Sequence, residues 1–226
     1  MHLKKQLKLL VCQPANWLLA LYSGLAFAPL AVFGGLWGTP FLQTVDHLSK
    51  PAAASLLSLS YVGFGLGGPL FGVLADKRKT PYSSMLVGLV CTAVCLFVVV
   101  YWSHNLVLEG IAMLGFGLGT GSFMLGFNLA RHINSLALAG SIVSFINSGD
   151  TVLSAITEPV LGRLLDWHWN GKMLNGARVF DIVNYQEAFA VLFFYLLVAF
   201  GCVCLLKRYL SVKNKISQCD RHVTER

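Results

Sequence analysis

Long apolar runs alternate with short polar breaks from one end of the chain to the other, and the runs are helix-length. Six of them, at 16–38, 52–75, 82–102, 106–129, 139–165 and 188–206, reach about 20 residues. At 1.5 Å per residue that length crosses roughly 30 Å of hydrocarbon. The first run is too long for the apolar core of a signal peptide. Pro29 inside it is expected to bend the helix. Thr39 to Lys50 reads as a short polar connection, Ser103-His104-Asn105 as a tight turn, and Trp167 to Gln186 as the longest loop, with turn signals at Asn170-Gly171 and Asn175-Gly176. The fourth run carries Gly115, Gly117, Gly119 and Gly121, two interleaved pairs of small residues that suit close helix packing.

Composition agrees with the pattern. Of 226 residues 56% are hydrophobic and only 12% charged, with a mean hydropathy of +0.67. Such a chain lacks the polar surface of a water-soluble globule, so the reading is an all-α membrane protein in one domain, 1–226. A net charge of +7 raises nucleic acid as a partner. The cations cluster beside the apolar runs instead of among aromatic readers, so no nucleic-acid partner is expected. The six cysteines include Cys91 and Cys95, and Cys202 and Cys204, inside apolar runs without neighbouring histidines, and read as packing residues.

The second run ends abruptly. Gly63 to Pro81 reads GFGLGGPLFGVLADKRKTP, in which Gly63, Gly67, Gly68 and Gly72 thin one helix surface before Asp76, Lys77, Arg78 and Lys79 arrive together. Four consecutive ionisable groups belong in water, and their basic character predicts the cytoplasmic side. Alternating the loops puts Lys4, Lys5, Lys8, Lys77, Arg78, Lys79, Arg131, Lys207, Arg208, Lys213, Lys215, Arg221 and Arg226 inside, thirteen of seventeen cations, with both termini cytoplasmic. Lys50, Arg163, Lys172 and Arg178 fall outside.

Gly72-Val-Leu-Ala-Asp76-Lys77-Arg78-Lys79 resembles the loop motif between helices eight and nine of the major facilitator superfamily, although shorter and without that motif's central glycine. The preceding Gly-Gly-Pro-Leu-Phe-Gly and Gly35-Leu-Trp37-Gly-Thr-Pro-Phe41 are similar to helices eight and seven of bacterial members. The resemblance implies the second six-helix half of such a transporter, helices seven to twelve, in a cell (inner) membrane. It further implies ion- or gradient-coupled movement of a small organic solute, an amino acid or related metabolite, and no enzymatic activity. Half of that fold needs a second bundle, separately encoded or a second copy of this chain. The alternative expectation is a non-transporting membrane subunit or an inactive fragment of a split permease gene.

Intramembrane chemistry is expected from the fifth run, read as the one with acidic residues inside it. Ser144, Asn147, Asp150, Thr151, Ser154 and Glu158 are spaced to share a face. Asp150, about 18 Å into the helix, falls near the bilayer midplane, where a carboxylate marks a functional site by default. It can take a proton, meet a substrate ammonium, pair with a cation, or simply brace the bundle. Glu158, close to the outer rim, reads either as the ion-pair partner of Arg163 or as a substrate contact. Asn147 and Ser154 read as cavity hydrogen-bonders or interhelical glue. Trp37 is either a substrate contact, as the resemblance implies for helix seven, or an interfacial anchor, and Tyr22 on the same helix has the same two readings.

Other motifs fail on context. Gly63-x-Gly65-x-x-Gly68 follows no strand, so no dinucleotide cofactor is expected. Ser122 after Gly119-Thr-Gly121 lacks a histidine base at membrane depth, because His2, His47, His104, His132, His168 and His222 all fall in loops or tails. No metal-binding spacing occurs, and no cofactor is expected.

Overall fold

A segment that crosses hydrocarbon has to close its backbone hydrogen bonds within itself, and the apolar runs of this chain all fold as helices. The computed structural model describes residues 8, 10–102, 105–167, 169–174 and 177–224, with side chains described except at 136, 174, 177 and 213–224. Helix α1 runs Pro14–Val45, α2 Lys50–Arg78, α3 Pro81–Trp102, α4 Leu106–Ile133, α5 Ala139–Trp167 and α6 Ile182–Thr224. Five of these, α1 to α4 and the Ile182–Val212 part of α6, are long and apolar enough to cross a membrane. Helix α5 is as long as α2, at 29 residues, but carries Asp150 and Glu158 inside its length and is not among the five. Between α5 and α6 a hairpin pairs β1 (Met173–Leu174) with β2 (Ala177–Arg178), after Gly171 at φ +83°.

The helices begin and end where local chemistry requires. Ser49 caps α2 by accepting from the Ala52 amide at 3.4 Å, and Asn105 caps α4 by accepting from the Val107 amide at 2.8 Å. Lys79 ends α2 in the left-handed region at φ 54°. The expected connection at 39–50 is mostly helix. Helix α1 passes through a π turn at Phe33–Trp37 and continues as Gly38–Val45. Pro40 has no N–H for the turn below, and the wider turn absorbs that loss where a break was expected. The last helix likewise starts at Ile182, before 188, and continues to Thr224, past 206. The Asn175-Gly176 turn, Ser103 and His104, Lys4, Lys5, Arg226, His2 and His168 lie outside the described residues.

Packing follows the glycines. Helix α4 lies against both α2 and α3, and its two interleaved pairs divide the work. A Cβ on Gly117 or Gly121 would overlap the backbone of α2 at Ser60 or Gly67, whereas one on Gly115 or Gly119 would meet Cys95 or Thr92 of α3. Helix α1 is the most enclosed and packs chiefly on α5 and α6.

The core lies in three tiers along the bundle. One holds Phe33, Phe41, Phe116, Phe189 and Tyr185, a middle tier holds Tyr22, Phe71, Met85 and Phe123, and the third holds Leu19, Leu129, Ile142 and Leu206. Charge separates along the same axis. Lys8, Lys77, Arg78, Lys79, Arg131, Lys207 and Arg208 share the end of the third tier, where Asp76 is their acidic companion. Asp46, Glu109, Asp166, Asp181 and Glu187 lie toward the opposite end, with the hairpin.

Candidate functional site

Helix α5 owes its position to a close crossing with α1. A Cβ added to Gly24 would stand 2.8 Å from the Gly149 carbonyl oxygen, and one on Gly149 would stand 2.8 Å from the Ala20 carbonyl oxygen. With both side chains absent the backbones touch, which turns the adjoining Ser23 on α1 and Asp150 on α5 inward. Asp150 is therefore only 5% exposed, and its side chain faces Ser23 of α1. Neither Asp150 Oδ1 nor the Ser23 hydroxyl has a completed hydrogen bond among the described residues. Polar atoms left open in a packed interior carry a desolvation cost and stay available to a proton or a donor.

This placement divides the polar stripe expected on α5. Asp150 lies in line with buried Ile142, Ile146, Thr157, Leu161 and Leu165, on the packed side. Ser144, Asn147, Ser148 and Thr151 are exposed on another face, and Ser154 is half-buried with its hydroxyl unpaired. The three exposed hydroxyls donate to their own helix, Ser144 to Gly140 O at 3.1 Å, Ser148 to Ser144 O at 2.9 Å and Thr151 to Asn147 O at 3.0 Å. Asn147 is the exception on that face, since its carboxamide has no partner among the described residues.

The remaining candidates stand apart from Asp150. Glu158 is half-buried and Arg163 exposed, and the ion pair expected between them does not form among the described residues. Arg163 lies five residues beyond Glu158, more than one turn, so the two leave the helix in different directions. Trp37 ends the π turn of α1, packs edge-on to Phe180 with ring centroids 6.5 Å apart, and rests against Gly162 of α5. Its indole N–H is buried without a partner. Tyr22 is fully buried and donates to Ser122 O at 3.2 Å, which makes it a strut between α1 and α4.

At the loop motif, Gly72, Asp76 and Lys79 line a shallow cavity with Asn128 and His132, and Lys77 and Arg78 are exposed beside it. No heavy atom stands within 4 Å of a Cβ on Gly72, so within this chain nothing requires a glycine there.

One acidic residue escapes the sequence reading. Glu109 lies in the first turn of α4 and is fully buried, so α5 is not alone in carrying an acid inside it. Its spacing from Ala112, Met113 and Phe116, all buried, places it on the packed stripe and was available as a signal. An acid in a first helical turn also suits the helix dipole at a solvated end, which makes such a residue easy to pass over. Among the described residues no group of three or more His, Cys, Asp or Glu side chains is placed to hold a metal ion. Two acids buried in separate parts of one bundle, Asp150 and Glu109, are thus the residues from which chemistry has to be argued. No protein-family model matches the chain, and no curated protein matches it.

Proposed function

We propose that this chain is one six-helix half of a secondary transporter for a small organic solute, similar to the second half of a major facilitator, and works beside a second bundle. Helix α5 would be the sixth span. The observation that carries the reading is the exposed polar face of α5, with Asn147 at its centre. Hydroxyls bonded to their own helix tolerate lipid, but an unpaired carboxamide at that depth favours a wet or proteinaceous neighbour. Asp150, buried at the α1–α5 crossing beside that face, is the residue we assign to coupling. Gathering Lys77, Arg78, Lys79, Arg131, Lys207 and Arg208 at one end supports a cytoplasmic loop side and cytoplasmic termini, by the excess of cations beside inner membrane ends.

A second reading, a membrane subunit without transport activity, is favoured by one fact. None of the cavities described among the described residues is lined by Asp150, Glu158 or Trp37. Reconstitution in liposomes separates the two. The chain joined to a second bundle, a separately encoded six-helix partner or another copy, should accumulate solute down an imposed proton or sodium gradient. Asp150→Asn should abolish the gradient-dependent component. Absence of uptake in every pairing would establish the subunit reading, and uptake indifferent to Asp150→Asn would remove Asp150 from coupling.

A further inference from the structure

Two acidic side chains from different helices meet at the end of the bundle that carries the hairpin. Asp46 closes the C-terminus of α1, its amide donating to Leu42 O at 3.0 Å, and Glu109 projects from the first turn of α4. The Glu109 carboxyl faces the Asp46 side chain. Glu109 is fully buried, and both its oxygens, together with Asp46 Oδ2, lack hydrogen-bond partners among the described residues.

Among the described residues neither Asp46 nor Glu109 has an ion-pair partner. From α1 and the following loop, His47 is exposed, and from α2, Lys50 is exposed. From α6, Tyr185 is paired with Thr44 and Glu187 is exposed. From α3, Tyr101 donates to Gln186 O, and beyond α5 the cations Lys172 and Arg178 are bonded to Asp181 and Asp166. Two adjoining carboxylates cannot both be ionised cheaply in such a place. One proton joins two of these three open oxygens in an O–H···O bond between an acid and a carboxylate. A metal ion suits the pair less, because two carboxyl groups without a third His, Cys, Asp or Glu among the described residues fall short of the ligands that calcium or zinc takes.

We propose that Asp46 and Glu109 form a one-proton site that fastens the end of α1 to the start of α4 and loosens when the proton leaves. This end of α1 follows the π turn at Phe33–Trp37, so loosening it frees the segment Gly38–Val45 to move.

The test uses the full chain in detergent and does not involve transport, so its failure leaves the transporter reading untouched. The folded chain holds a proton that the unfolded chain releases at lower pH. Stability therefore falls as pH rises through the loss of that proton. Asp46→Asn and Glu109→Gln each supply a permanent amide donor, and each should lose most of the pH-dependent fall in melting temperature. A fall as steep as wild type in both variants overturns the proposal. A second readout covers variants that do not fold. Infrared spectra of the Asp150→Asn chain, in which Asp150 contributes nothing, should contain a protonated-carboxyl band that disappears on raising pH, and absence of that band also overturns the proposal.

Discussion

Gly24 of α1 and Gly149 of α5 lie backbone against backbone, and this contact buries Asp150 against Ser23. The crossing leaves no room for one methyl group, since a Cβ on Gly24 would also meet Leu153. Gly24→Ala should lower stability by about 1–3 kcal/mol, the usual cost of overpacking. Gly65, with no heavy atom within 4 Å of its Cβ position, is the control. Gly65→Ala should be neutral or stabilise by about 0.5–1 kcal/mol through helix propensity. Thermal melting of both variants in detergent, followed by circular dichroism, decides it, and equal melting temperatures would contradict the close crossing.

Phe33 is fully buried among Phe41, Phe116 and Phe189, with centroids 5.9, 6.0 and 5.2 Å away. In water Phe→Ala costs about 3–5 kcal/mol, part of it the transfer of the ring out of water. Unfolding within a lipid or detergent phase returns the ring to an apolar medium, so that part is lost and packing remains. Phe33→Ala should therefore cost about 1–3 kcal/mol, read from steric-trapping or detergent unfolding equilibria.

Asn147 and Ser23 make opposite predictions. Asn147 is exposed, so Asn147→Ala should change the stability of the isolated chain by no more than about 0.5 kcal/mol. In the reconstituted pair the same change should reduce uptake at least several-fold. Ser23 is fully buried beside Asp150, and Ser23→Ala should act on pH dependence while binding of solute is retained. Uptake and melting measured on the same preparations test both.

The ion pair beside the hairpin should contribute little to stability. Arg178 bonds Asp166 and stands 4.9 Å above the Trp169 ring, but both charged side chains are about half exposed. Arg178→Gln should cost less than about 1 kcal/mol, and the difference should shrink in high salt as the pair is screened. Melting curves at low and high salt check this.

Topology is open to direct labelling. In a cysteine-free background, a cysteine replacing Arg78 should resist an impermeant thiol reagent applied to intact cells, and one replacing Lys172 should react. The reverse pattern would invert the bundle.

That the chain is helical, with several helices of membrane-crossing length, was legible in the sequence because apolar length and charged breaks are local properties. Lys77, Arg78 and Lys79 had to lie at a helix end whatever the neighbours did, and the spacing of Gly115, Gly117, Gly119 and Gly121 already announced two packing faces. The Thr39-Pro40 region was misread for an equally local reason. A threonine–proline step after glycines looks like a break, and only the π turn beneath it allows α1 to continue to Val45.

Which polar groups meet is a different kind of fact. Sequence alone set Asp150 at mid-helix and passed over Glu109. It could not say that Asp150 turns away from Asn147 toward Ser23, that Glu158 and Arg163 stay apart, or that Asp46 and Glu109 meet. Helical periodicity fixes angles within one helix, whereas the angle at which that helix is buried is set by where two backbones can touch. Here the touching points are Gly24 with Gly149 and Gly117 with Ser60, contacts made across long stretches of chain. The tertiary structure, through those crossings, chose which acids lost their water.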